Sequence, residues 1–240
     1  MDNPDPVAVA VLTPSTGICR MEYAQSLSRL VAYFAQVSVF DDGRPQTITT
    51  DAVIGSGIGE NYERMVLRYL AAEEHHWTHF LSIEDDMLFA PDCLHRLIRH
   101  RLPIVGCNYS VNKGAPLRFT AVKTCMRDQI VTGPDSTGLE EAGLIPQGFT
   151  LIAREVFEAV PRPWFLNGYS TKSEKYVTQD YVFSQLARKA GFSLFVDHDA
   201  SKRVEHVGPK RYTWEDAFRD QPEKEDSGNG NLSRVVRVGV

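Results

Sequence analysis

Residues 80 to 98 read FLSIEDDMLFAPDCLHRLI. His79 to Ile83 is an apolar run that predicts a buried strand, and the chain leaves it through Glu84, Asp85 and Asp86. Pro91 then starts a helix through Arg99, with Leu94, Leu97 and Ile98 facing inward, because proline suits a first helical turn. Taken alone, an acidic triplet reads as a solvated turn. At the carboxyl end of a buried strand it reads differently. Ligands of open α/β sheets bind at such ends, and hard divalent cations take carboxylate oxygens there.

The flanking sequence supplies the rest of a sheet. Val7 to Leu12 is an apolar run that predicts a central strand, and it leads into Thr13, Pro14, Ser15, Thr16 and Gly17. Glu22 to Phe34 carries Tyr23, Leu27, Leu30, Val31 and Phe34 at helical spacing, and Val37 to Phe40 reads as a second strand ending in Asp41, Asp42 and Gly43. An irregular stretch with Gly55, Gly57 and Gly59 precedes a helix over Asn61 to Glu74. Ile104 to Asn108 is a further strand. Strand and helix in alternation predict an α/β fold, a mostly parallel central sheet flanked by helices on both faces.

The second half changes character. Phe119 to Thr132 reads as two short strands, and Gly133 to Gly143 as a glycine-rich acidic loop. Phe149 to Ile152 is a strand feeding a helix near Arg154 to Ala159. Thr178 caps a helix to Ala190 that Gly191 ends. Residues 221 to 240 read as a flexible tail, although Ser233 to Val240 also alternates like an edge strand.

With 240 residues and 42% hydrophobic content, residues 1 to 220 can form a single domain. A net charge of −5 argues against a surface devoted to nucleic acid as a whole. Met1 to Pro6 lacks the basic and apolar regions of a secretory leader, and no apolar stretch approaches bilayer-spanning length. These features predict a soluble, cytoplasmic protein. The four cysteines, Cys19, Cys93, Cys107 and Cys125, form no zinc-like spacing and are expected to be free thiols.

The order of these pieces resembles the GT-A glycosyltransferases, especially family 2-like members common in bacteriophage genomes. The resemblance runs from Val7 to Gly208. It implies a UDP- or GDP-linked sugar donor and a manganese or magnesium cofactor. The family's acidic motif falls on Glu84, Asp85 and Asp86, with Asp86 as metal ligand, Asp85 at the variable middle position and glutamate at position 84 in place of aspartate. His206 matches the late histidine that completes the metal site, and manganese accepts imidazole beside carboxylate.

The same resemblance assigns the donor site. Thr13, Pro14 and Ser15 match the first nucleotide-binding loop, Asp41 and Asp42 the acidic position that contacts base or ribose, and Arg64 the arginine that approaches the nucleotide. An arginine fork suits phosphate oxygens. Gln147, Gly148 and Phe149, with Trp164, Phe165 and Tyr176, match the sugar and acceptor pocket, where aromatics stack on sugar faces. Thr178, Gln179 and Asp180 resemble the motif whose aspartate is the base of inverting transfer, with Gln179 in place of glutamate.

The acceptor is read only by class. The phage-type resemblance points to hydroxymethylated pyrimidines in DNA, within a host cytoplasm, and glycans, lipid-linked sugars or proteins are the alternatives. Lys172 to Lys175 and Lys202 to Arg211 are cationic segments that could line a strand-tracking groove. A sugar-nucleotide-binding or carbohydrate-binding module without turnover would fit the same residues. A nucleotidyltransferase would need a basic glycine-rich loop after the first strand, and Thr13 to Arg20 holds one cation.

Two other patterns have simpler explanations. His75, His76 and His79 with Glu73 and Glu74 straddle a predicted helix end, where histidine is favourable without any metal. Gly55, Gly57 and Gly59 imitate a dinucleotide fingerprint with the third glycine one residue early. No P-loop signature is present.

Overall fold

The computed structural model describes residues 6–55, 57–72, 76–111, 117–171, 174–208 and 211–221. In chain order, β1 (Val7–Ser15) leads into α1 (Met21–Gln36), β2 (Gln46–Ile54) into α2 (Ile58–Leu70), and β3 (His79–Ile83) through the acidic turn into β4 (Met87–Phe89) and α3 (Cys93–Arg99). β5 (Ile104–Gly106) is followed by the short β6 (Ser110–Val111), β7 (Arg118–Phe119) and β8 (Val122–Lys123), then β9 (Leu139–Leu144), β10 (Phe149–Ala153) and α4 (Arg154–Ala159). The hairpin β11 (Gly168–Ser170) and β12 (Lys175–Val177) precedes α5 (Gln179–Lys189). β13 (Leu194–Asp197), α6 (His198–Ser201), β14 (Val204–Val207), β15 (Arg211–Tyr212) and α7 (Trp214–Arg219) follow.

The eight-stranded sheet has the order β2-β1-β3-β10-β5-β13-β9-β8. β1 pairs in parallel with β2 and β3, and β5 with β13. β10 runs antiparallel to both β3 and β5, and β9 to both β13 and β8. The sheet is therefore mixed, where alternation of strand and helix predicts a mostly parallel one.

β1 shows why the first strand is legible. Val7, Val9 and Val11 pack with Leu30 and Phe34 of α1 and Leu94 and Leu97 of α3. Ala8, Ala10 and Leu12 face Tyr62 and Met65 of α2, Phe157 of α4 and Phe183 of α5. A strand covered on both faces has no reason to alternate with polar residues. Each large apolar side chain buried this way contributes about 1.5 to 3 kcal/mol.

Several expectations need correction. Val37 to Phe40 forms no strand, and the second strand is Gln46–Ile54. β2 lies at the sheet edge and buries Val53 alone, so it lacks an apolar run. Part of the expected acidic loop is β9, whose outer residues stay partly exposed while Ala142 and Gly143 are buried. α3 begins at Cys93 with Asp92 as its N-cap, so Pro91 lies before the first turn. α2 ends at Leu70. Glu73, Glu74, His75 and residues 222–240, including Ser233 to Val240, lie outside the described residues.

Other expectations agree. Gly191 follows α5 with φ of 96°, a left-handed conformation that glycine adopts without a Cβ clash. All four cysteines are free, Cys93 and Cys107 buried and Cys19 and Cys125 exposed. Among the described residues no helix is long and apolar enough to cross a membrane.

Candidate functional site

The acidic turn is positioned by strand pairing on its far side. β4 runs antiparallel to β14, with Met87 opposite His206, and the Val207 amide donates to the Asp86 carbonyl at 2.8 Å. That register brings His206 Nε2 to 3.1 Å from Asp86 Oδ2. The Tyr109 ring stacks on the His206 imidazole at 6.1 Å with 8° between planes, and the Tyr212 ring lies 6.3 Å away. The imidazole is thereby held by rings as well as by backbone.

A second turn meets the first. Phe149 of β10 pairs with Ile83 of β3, so Gln147 and Gly148 lie beside Glu84. The Glu84 amide donates to the Gly148 carbonyl at 3.3 Å, and the Gly148 amide donates to the Tyr109 hydroxyl oxygen at 3.1 Å. The Tyr62 hydroxyl donates to the Gln147 carbonyl at 3.1 Å, and the Ser82 hydroxyl donates to the same oxygen. A Cβ at Gly148 would sit 2.3 Å from the Tyr109 hydroxyl, so the close approach requires glycine.

Electrostatics place Asp180 in the same neighbourhood. Burial, followed by the negative charges of Glu84 and Asp180, holds the Tyr109 hydroxyl well above its ordinary range, with Asp86 adding to the effect. Burial also raises Tyr62, again helped by Glu84 and Asp180. Tyr23 is pushed up to about 12, chiefly by burial, with the hydrogen bond between its hydroxyl and that of Thr13 opposing and the Asp85 charge adding. Asp180 itself is half-buried in the first turn of α5. Carboxylates from the turn and from α5 thus converge on one set of buried tyrosines.

The polar atoms of this region are incompletely matched. Asp85 Oδ2, Asp86 Oδ1, His206 Nδ1 and both amide atoms of Gln147 are buried without a hydrogen-bond partner. Outside the region, the only such atom among the described residues is His95 Nδ1. Each orphaned buried group costs about 1 to 3 kcal/mol, so their concentration at one strand end points to a ligand-binding place.

Of the residues expected at the donor site, Thr13, Pro14 and Ser15 lie at the carboxyl end of β1, next to β3. Thr13 Oγ1 is 2.5 Å from the Tyr23 hydroxyl, and Ser15 Oγ accepts from the Gly17 amide at 3.0 Å. Arg64 is exposed on α2, one turn from Arg68, whose guanidinium pairs with Asp51 at 2.5 Å. Glu84, Asp85, Asp86, Gln147, Gly148, Asp180 and His206 are brought together as described above.

Two expected site residues are placed elsewhere. Asp41 is at the opposite end of the sheet, because Val7 pairs with Gln46 and its amide donates to the Pro45 carbonyl. The nine residues of β1 separate it from the carboxyl ends by about 30 Å. Its neighbour Asp42 is held below the usual carboxylate range by Arg44. Trp164 is core rather than pocket wall: it is 2% exposed, packs on Phe157, and its ring N–H donates to the Val160 carbonyl at 2.8 Å. Tyr176 is 89% exposed on β12, with the Tyr169 ring 5.3 Å away.

The basic segments are partly committed to local contacts. Lys202 donates to the Pro134 and Ser136 carbonyls, and Arg203 pairs with Asp92 at 2.8 Å. Lys172 and Lys210 lie outside the described residues. His79 bonds Thr78, and burial lowers its pKa to about 4. Among the described residues no group of three or more His, Cys, Asp and Glu side chains could hold a metal by itself.

The sequence reading does not single out Tyr109, Tyr62 and Ser82 as site residues, although they fix the Gln147 turn. It also misses the contact of Arg20 Nη2 with the Gly208 carbonyl at 2.7 Å. No local pattern signals these long-range contacts.

No family model matches the chain, and no curated protein matches it. Among solved structures, A197 from STIV aligns over 96% of this chain and 99% of that one, with a TM-score of 0.54 and 13% identity. The chain shares that fold. A nucleoside-diphosphate-sugar pyrophosphorylase from Vibrio cholerae RC9 aligns over 89% of this chain and 100% of that one, with a TM-score of 0.46 and 14% identity. S. aureus TarS (1-349) aligns over 80% and 58%, with a TM-score of 0.36 and 10% identity.

Proposed function

We propose that this α/β chain is a metal-dependent glycosyltransferase of the GT-A type, moving a sugar from a UDP- or GDP-linked donor to an acceptor hydroxyl. The observation that supports it most is the set of unmatched buried polar atoms on Asp85, Asp86, Gln147 and His206, gathered at the carboxyl end of β3. A nucleotide-sugar with its cation would supply partners of both kinds.

The donor set suits such a cation. Asp86 and His206 offer a carboxylate and an imidazole 3.1 Å apart, a hard and a borderline ligand compatible with manganese or magnesium. Two protein ligands are few, and diphosphate oxygens fill the remaining positions in sites of this kind. When bound, the ion stabilises the charge of the departing diphosphate. Thr13 to Ser15, at the carboxyl end of β1, and Arg64 contribute to donor binding, and the Gln147 amide and Glu84 orient the donor through polar contacts.

Asp180 takes the proton. The acceptor oxygen attacks the anomeric carbon from the face opposite the diphosphate, the bond to the phosphate oxygen breaks, and the acceptor's proton passes to the Asp180 carboxylate. One displacement inverts the anomeric centre. Tyr176 and Tyr169 offer exposed faces to the acceptor, whether the hydroxyl belongs to a hydroxymethylated pyrimidine or to a glycan.

The test is Asp180→Asn. It should keep donor affinity while slowing transfer by about a hundredfold or more, and the wild-type product should carry the inverted anomer. Near-normal transfer by this variant, or a retained anomer, would remove Asp180 as the base. Donor binding by the wild type without any turnover would make the chain a sugar-nucleotide-binding module.

A further inference from the structure

We infer that Arg20 and Arg211 form a two-armed clamp for the diphosphate of a nucleotide ligand, a role that rests on the donor site proposed above. Arg20 precedes α1, and its exposed guanidinium reaches across to the Gly208 carbonyl at 2.7 Å. Gly208 directly follows Val207, whose amide donates to the Asp86 carbonyl. Arg211, the first residue of β15, lies opposite Val207, with its guanidinium 3.9 Å from Glu22 of α1. Both arginines therefore flank the strand that carries His206.

Charge explains why they are needed there. Glu84, Asp85 and Asp86 place three carboxylates on one turn, which a single divalent cation does not cancel. A diphosphate adds more negative charge to the same place. Guanidinium groups answer this with bidentate, charge-assisted hydrogen bonds to phosphate oxygens.

Their present partners are exchangeable. Arg20 bonds a neutral carbonyl at the surface, and the Arg211 to Glu22 contact is long, with side chains 57% and 47% exposed. Contacts of that kind are worth little, so releasing them for phosphate oxygens costs little. The exchange would also tie the start of α1 to β14 through the ligand. The sequence alone shows one cation in the first loop and no relation between Arg20 and Arg211.

Calorimetric titration of the full chain in manganese, with UDP, GDP, UMP, GMP and inorganic pyrophosphate as probes, tests the clamp. Arg20→Ala and Arg211→Ala should each weaken UDP or GDP binding by about tenfold, and the double variant more. The corresponding monophosphate should lose less than about threefold, and Arg20→Lys should restore part of the diphosphate affinity. Diphosphate affinities equal to wild type in the alanine variants overturn the clamp. Arginine-dependent binding of pyrophosphate with no nucleotide binding would keep the clamp and refute the nucleotide-sugar reading. Failure of the wild type to bind any of these probes would overturn both.

Discussion

His206 Nε2 lies 3.1 Å from Asp86 Oδ2, across two short strands that enter the site from distant parts of the chain. The other polar atoms of the pair, Asp86 Oδ1 and His206 Nδ1, are buried without partners. The fold therefore holds a carboxylate and an imidazole together while leaving part of each unmatched.

Removing either side chain should separate binding from stability. Asp86→Ala should abolish manganese-dependent binding of a nucleoside diphosphate, and His206→Ala should weaken it by on the order of tenfold. Asp86→Ala removes an unmatched buried oxygen but also the Oδ2 partner of His206, two opposing effects, so the unfolding free energy should stay within about 1 kcal/mol of wild type. Calorimetry with manganese and urea unfolding of the same samples check both halves. Wild-type metal dependence in Asp86→Ala would end the metal assignment.

Gly148→Ala should be costly for a steric reason. The added Cβ would lie 2.3 Å from the Tyr109 hydroxyl, so Tyr109 must leave both the Gly148 amide and its stack on His206. We expect a loss of about 1 to 3 kcal/mol in urea unfolding, together with weaker metal-dependent binding. A change below about 0.5 kcal/mol would show that Tyr109 is not held as described.

His79 makes a pH prediction whose sign follows from burial. Its pKa falls from 6.5 to about 4 on folding, so between those values the unfolded chain binds a proton that the folded chain does not. Stability therefore rises with pH through this window and is lost as pH falls from 6.5 toward 4. The contribution is about 3 kcal/mol. His95, also lowered by burial, acts in the same direction, so the comparison must be with His79→Gln rather than with pH alone. The variant should lose less stability across the window; identical pH profiles would contradict the assignment.

The legible parts of the fold are those with a strong local cause. β1 and β3 are apolar runs buried on the sheet, and the carboxylates after β3 stand where a ligand site should be. β2 escapes notice because an edge strand buries Val53 alone, while Val37 to Phe40 misleads because Val39 is buried without strand pairing. Asp41 follows Val37 to Phe40 and therefore lies at the amino end of β1, away from the carboxylates after β3. Trp164 shows that an aromatic residue does not announce its depth. Arg20 and Gly208 touch across 188 positions of sequence, a relationship that only the folded chain reveals.

A thermal-shift panel of UDP- and GDP-linked sugars against the wild type, with manganese and with chelator and in parallel with Asp86→Ala, tests the metal-dependent donor site. At least one sugar nucleotide should raise the melting temperature of the wild type in manganese, by several degrees at a hundredfold excess over its dissociation constant, since such saturation contributes about 2.7 kcal/mol. The shift should vanish with chelator and in Asp86→Ala. An equal shift in the variant, or no shift with any sugar nucleotide in manganese, would contradict it.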